Sequence, residues 1–444
     1  MKHHLFFTSF LIFISYLILR ILGFISISYL YKYCQNEISN YITSLTFYLF
    51  FLDISSLGIF PSISRLSSRL EEEEINYIVN KALKNLLIIG IAIFFIYQLI
   101  ITIFYKAERF WYLELMSISF IYYSIIFFLR GIAQGRRKPF KVLLSLVIDG
   151  LIRILFIIIG LKCFKGERII ISFVFVGITT GSLCSFLYLY LRRPKGEEKQ
   201  IAFEKELYSK ALSILPITMF ITAYHFIDIY SFKLLNISES MFNLINFKIE
   251  RLIMLPVYFA SIYSSLYLPY LIKTNQKYPF IKININLFLL TLFIYSKASN
   301  IFSLLYDETV GLQYFKYLIP VILLLSMIKM YISAILREES IYKLSIYFII
   351  VIAFKLLINL VLGSEYRADG IIMSTYIILF LLIIGIIFYL KLHKLIKTFD
   401  IFTSFILIIV CFFLIFLFIN ILNFNIYLSF FIVLMGINLI LKLI

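Results

Sequence analysis

Apolar runs of about 20 residues, separated by short clusters of charge, Pro and Gly, recur along the whole chain. Counting them gives about 14 candidate spans, from 5–30 to 425–443, each long enough to cross a bilayer as a helix at 1.5 Å per residue. The pattern predicts an all-α polytopic membrane protein. Several runs exceed about 23 residues, which predicts tilt or kinks, with Pro216, Pro256 and Pro320 as the kink positions. The first run is too long for a signal-peptide core and lacks a small-residue cleavage site, so it reads as a retained helix.

The polar breaks set orientation. The stretch Arg130, Gly131, Gln134, Gly135, Arg136, Arg137, Lys138, Pro139, Lys141 carries five Lys or Arg between two spans, which marks a cytoplasmic loop. Counted from it, the short loops place about 25 basic residues inside and about 9 outside, so both termini face the cytoplasm. The loop at 162–168 is then external. The acidic run Glu71, Glu72, Glu73, Glu74 counts little for orientation and reads as a solvated loop or helix start. Residues 192–210 form the longest polar segment and fall near the middle of the first 12 spans, where they read as a linker. This divides the chain into an N-lobe at 1–200 with helices 1–6, a C-lobe at 201–398 with helices 7–12, and two further helices at 399–444. The end of the linker, 203–210, reads as an interfacial amphipathic helix.

Composition agrees. Of 444 residues 62% are hydrophobic and 15% charged, and the mean hydropathy is +0.99, more apolar surface than a soluble domain can cover. A net charge of +17 would suggest nucleic acid in a soluble protein; here the cations sit in loops, where they set topology and meet anionic lipid, so no nucleic-acid partner is read. Cys34, Cys163, Cys184 and Cys411 show neither CxxC nor a His at metal spacing, so no metal and no cofactor are expected. Cys34 and Cys163 fall near external helix ends, which leaves a disulfide between them open. There is no GxxxxGK[ST], HExxH or GxSxG, so the chain carries neither a nucleotide motor nor a hydrolase constellation, and is read as not an enzyme.

Charges at depth are the chemical signal. A charged group at a helix centre costs roughly 2.5–3.5 kcal/mol on the insertion scale, so each must face protein, water or a partner. By depth these groups are Arg20, Asp53, Asp149, Arg153, Asp228, Lys248, Glu250, Arg251, Lys297, Lys329 and Lys355, with cations outnumbering acids. Asp149 and Arg153, four apart, read as a structural ion pair on one helix. Arg20 and Asp53 lie at similar depth on spans one and two, either as a cross-helix pair or as cavity groups. Lys248 and Arg251 share a helix face while Glu250 between them points elsewhere, Lys355 and Asn359 share another, and neither patch has an obvious local carboxylate. Lys297 and Lys329 lie near span ends and can snorkel. His225 and Asp228 form either a protonatable pair or a packing pair.

Four groups of residues carry a resemblance. They are Arg130, Gly131, Gln134, Gly135 with the acid-xxx-Arg of Asp149 and Arg153; Gly58, Ile59, Pro61, Ile63, Ser64, Arg65; Leu215, Pro216, Ile217 with Asp228; and Lys355, Asn359 with Ala368, Gly370, Ser374, Thr375. In that order and spacing, over roughly 10–392, they resemble the polysaccharide and lipid-linked oligosaccharide flippases of the MOP superfamily, nearest to stage V sporulation protein B and the lipid II flippases. The resemblance implies a MATE-like arrangement of two six-helix lobes, with a cavity lined by spans one, two, seven and eight, and alternating access without an enzymatic step. It places Arg20, Asp53, Asp228, Lys248 and Arg251 near that cavity.

The expected cargo is an undecaprenyl-pyrophosphate-linked sugar, a peptidoglycan or polysaccharide unit, moved across a bacterial cytoplasmic membrane. Arg20, Asp53, Asp228, Lys248, Arg251, Lys355 and Asn359 are the candidate substrate residues, because Arg and Lys at mid-depth suit phosphate oxygens. Membrane lipid and enzymes of polysaccharide or peptidoglycan synthesis are the expected partners. Two alternatives stay open: a cation-coupled multidrug exporter of the same superfamily, and a non-transporting scaffold of polysaccharide synthesis. An exporter of cationic drugs would favour carboxylates over the observed excess of cations.

Overall fold

The computed structural model describes residues 21–104, 111–136, 138–258, 287, 290–291, 293–306, 311–335 and 341–392. Among them there is no strand. Arg20, Cys411 and the two helices expected at 399–444 lie outside the described residues. The chain groups into two compact units, one drawn from Met1–Phe247 with Glu338–Thr375, the other from Lys248–Arg337 with Tyr376–Ile444.

In the first unit, α1 (21–33) is followed by α2 (Ile38–Ser56) and α3 (Ile59–Ser67), which together form one candidate span. The break between them lies at Leu57 and Gly58, both left-handed at φ 50° and 63°. Gly58 is required there twice: for its backbone, and because a Cβ would stand 2.6 Å from the Ala211 carbonyl of α9 (Glu204–Thr218). α4 (Glu72–Phe104), α5 (Trp111–Ser117), α6 (Ser119–Gly135), α7 (Pro139–Cys163) and α8 (Glu167–Leu191) complete this bundle. Glu72, Glu73 and Glu74 occupy the first turn of α4, where acids complement the helix dipole.

Residues 203–210 are not a separate interfacial helix. From Glu204 they form the first turns of α9, which continues through a 44° bend into α10 (Phe220–Leu234). Pro216 supplies the cause, since its ring displaces the carbonyl four residues earlier and it donates no hydrogen bond. α11 (Glu239–Asn243) then passes through a π-helical turn, Leu244–Ile249, into α12 (250–258). In the second unit α13 (Ala298–Tyr306) packs on α14 (Leu312–Ile335), with Phe302 and Phe315 stacked at 5.8 Å.

The helical stretch Tyr342–Leu392 is two antiparallel arms, α15 (342–366) and α16 (368–392), hinged at Arg367 with φ 54° and ψ −128°. Twenty residues of continuous helix would separate Lys355 from Thr375 by about 30 Å, yet Lys355 Nζ lies 3.4 Å from Thr375 Oγ1. Arg367 is held by its Nη1 donating to the Leu235 carbonyl at 3.0 Å. The arms coincide with the two expected spans on either side of 363–369. By length and apolarity the described residues hold 7 membrane-spanning helices, or 8 with the α9–α10 pair, and separating α15 from α16 adds another.

Candidate functional site

The first unit encloses a polar cluster contributed by α10, α15 and α16. Asp228, Ser231, Lys355, Asn359, Ser374 and Thr375 are all buried, Lys355 and Asn359 completely. Lys355 Nζ lies 2.8 Å from Asp228 Oδ1 and 3.9 Å from the Tyr224 ring centroid. Asn359 Nδ2 donates to Asp228 Oδ1 at 2.8 Å and to Ser231 Oγ at 3.0 Å, while the Ser374 hydroxyl donates to Asn359 Oδ1. Lys355 and Asn359 have no carboxylate within a turn of either on their own helix; the acid they meet, Asp228, comes from α10. An ammonium held by a carboxylate, a hydroxyl and a ring face, with the amide and two serines closing the rest, is the fully connected form a buried charge requires.

Asp149 and Arg153 meet on one face of α7 as a two-pronged pair, Nε to Oδ1 and Nη2 to Oδ2, both 2.9 Å. Gly181 of α8 leaves room for it, since a Cβ there would stand 2.9 Å from Asp149 Oδ1. Arg153→Gln is expected to cost about 3 kcal/mol or more, the range for breaking a buried pair, because it strands the buried Asp149 carboxylate within an apolar span. Adding Asp149→Asn should restore most of it. Thermal unfolding of the two variants in detergent checks the order.

Asp53 on α2 accepts a hydrogen bond from Thr222 Oγ1 of α10 at 2.6 Å; the expected Arg20 partner lies outside the described residues. Arg130, which the sequence placed in the basic turn, is instead buried in α6. Its Nε donates to Ser145 Oγ at 2.9 Å and its Nη2 to Ser185 Oγ at 3.0 Å. In the second unit Lys248 is buried in the π-helical turn, with Nζ 5.4 Å from the Tyr306 ring centroid, and Arg251 is half-buried on α12. A π turn widens the winding, so the face that Lys248 and Arg251 share is not that of a regular α-helix. Lys329 Nζ lies 4.4 Å over the Tyr258 ring. Cys34, Cys163 and Cys184 are free thiols, and the described residues contain no group of His, Cys, Asp and Glu arranged for a metal.

No protein-family model matches the chain. It is 23% identical over 390 residues to the lipid II flippase MurJ of Bacillus subtilis (strain 168), covering 74% of this chain and 71% of that one. Among solved structures it matches a lipid II flippase MurJ in an inward closed conformation at TM-score 0.66 and 15% identity, over 98% of both chains. The chain has the fold of the MOP-superfamily transporters. Other MOP folds agree: an outward-facing multidrug-resistance MATE transporter matches at TM-score 0.59 and 13% identity, over 86% of this chain and 96% of that one. A eukaryotic MATE transporter matches at 0.58 and 12%, over 90% and 97%. The resemblance read from the sequence and the helical fold class both hold: the chain is similar in sequence to a lipid II flippase and shares its fold.

Proposed function

We propose that this MOP-fold protein is a flippase for an anionic undecaprenyl-pyrophosphate-linked sugar, a peptidoglycan or polysaccharide unit, working by alternating access in a bacterial cytoplasmic membrane. The observation that carries the reading is the match to the Bacillus subtilis lipid II flippase over most of both chains. Charge placement supports it. The two acids buried among the described residues, Asp149 and Asp228, are each matched by a protein cation, which leaves neither to hold a cationic drug. Lys248 and Arg251 carry positive charge into the span that begins near Glu239, where pyrophosphate oxygens would meet an ammonium and a guanidinium fork. Arg20 and Asp53 are proposed for the same path, and Asp228, Lys355 and Asn359 as the brace of its second lobe.

Complementation of a strain depleted of its lipid II flippase tests the reading, with blotted protein levels beside growth. Growth with the wild-type chain and none with Arg251→Ala at matched abundance is the expected result; Arg251→Lys should restore part, because the fork is lost. Growth of Arg251→Ala at full rate would remove that cation from the path. Orientation is tested separately: a cysteine probe at Lys165 should be labelled from outside intact cells and one at Lys138 should not, because five cations crowd the loop containing Lys138.

A further inference from the structure

The basic ends of α6 and α7 and the segment after α8 surround a cavity of about 170 Å³, far more than the roughly 10–15 Å³ that one water needs. Six cations line it, Arg136, Lys138, Lys141, Arg192, Arg193 and Lys195, against a single acid, Glu72. Of the six only Arg136 meets a carboxylate among the described residues, Glu72 at 2.9 Å. Arg193 is the most telling. Its guanidinium lies 3.9 Å from the Tyr190 ring centroid and its Nη1 donates to the Tyr190 carbonyl, but its Nε is buried and makes no hydrogen bond. Lys141 Nζ is fixed by the Arg192 carbonyl at 3.1 Å. The floor is apolar, with Leu129, Ile132 and Leu189 from the span ends.

A loop placed only to orient the protein would leave its cations splayed in water. Here the wall is fastened. Lys199 lies 3.3 Å from Glu71 and 3.4 Å from Glu74, and its ammonium is held above the ordinary lysine range by hydrogen bonds and charge from Glu71 and then Glu74. The Lys199 N–H donates to the Glu73 carbonyl at 3.2 Å, and Asn76 Nδ2 to the Glu197 carbonyl at 3.1 Å. The segment read from sequence as a linker is therefore strapped to the start of α4, and the strap holds Arg192, Arg193 and Lys195 in the wall of a cup.

We propose that this cup binds the phosphate of an anionic phospholipid from the adjoining leaflet. A concave ring of cations with an unused guanidinium N–H calls for a phosphate-type anion, and an apolar floor at the span ends calls for one that carries a hydrocarbon chain. Free phosphate and a polyprenyl pyrophosphate share the anionic chemistry. The site is independent of the cargo assignment, because it uses none of the residues proposed for the substrate path.

The test is binding to the purified full-length protein in a zwitterionic detergent, titrated with dihexanoyl phosphatidylglycerol, dihexanoyl phosphatidylcholine, sodium phosphate and farnesyl pyrophosphate. Phosphatidylglycerol should bind at least tenfold more tightly than phosphatidylcholine and than phosphate. Lys141→Gln/Arg193→Gln should lose at least tenfold, whereas Arg168→Gln, at the end of α8 remote from the cup, should lose nothing. Lys195→Gln, exposed and outside any helix, should lose a smaller factor and serves if the double variant unfolds on a melting curve. Equal binding by wild type and by the variant that remains folded overturns the site. Tighter binding of phosphate or farnesyl pyrophosphate at the same residues overturns the assignment to phospholipid.

Discussion

Replacing Lys355 with methionine is expected to lower the stability of the folded protein by about 3–5 kcal/mol, the range for removing one partner of a buried pair. Lys355 is wholly buried and Asp228 nearly so, so neither charge can turn to water when the other is removed. Asp228 Oδ1 would keep the Asn359 amide at 2.8 Å, but one amide dipole does not replace an ammonium at the same distance. Asp228→Asn should be nearly as costly, because it strands an ammonium buried against the Tyr224 ring and the Thr375 hydroxyl. Lys355→Met with Asp228→Asn should be more stable than either single variant, since the uncompensated charge is gone. Melting temperatures in detergent and membrane abundance give the readout. A double variant no better than the worse single one would show that shape alone, not charge balance, governs this cluster.

The sequence showed the members of this cluster but not the cluster. Asp228, Lys355 and Asn359 were each conspicuous as polar groups inside apolar runs, which the cost of burial makes legible. Their partnership was not, because sequence spacing reveals only neighbours on one helix, and Asp228 and Lys355 stand on different ones. Asp149 and Arg153, four apart on α7, form the expected pair for that reason. Arg130 was counted with the basic turn because only five residues separate it from Arg136, although it lies more than a turn inside the end of α6. The strap from Lys199 to Glu71 and Glu74 was hidden in the same way: each half looks like a solvated charge run, and only the fold brings them within 3.4 Å. By contrast, span positions through α2–α10 and α14–α16 were legible, since hydrocarbon solvent leaves one way to satisfy the backbone of an apolar run.

Gly135→Ala is expected to destabilise the protein, against the preference of helices for alanine. In an unobstructed helix that exchange would gain up to about 1 kcal/mol. At Gly135, however, a Cβ would overlap the Ser64 carbonyl and the Ser67 hydroxyl, and at Gly131, one turn earlier on α6, it would stand 2.8 Å from the Phe60 carbonyl. The two glycines thus form the face on which α6 lies against the backbone of α3, the small-xxx-small device that substitutes for hydrophobic attraction between helices in lipid. Because the obstructing atoms at both positions include main-chain oxygens, the helices must separate, and overpacking of that kind costs about 1–3 kcal/mol per site. The double variant Gly131→Ala/Gly135→Ala should lose more than either single one and reduce membrane abundance most. Gly23 supplies the control, since nothing lies within 4 Å of a Cβ built there, so Gly23→Ala should be neutral or stabilising. Parallel melting curves for the four variants decide it: if Gly135→Ala melts at or above wild type while Gly23→Ala behaves the same, helix propensity governs both sites and the close approach of α3 to α6 is not what holds the Arg130–Gly135 segment in place.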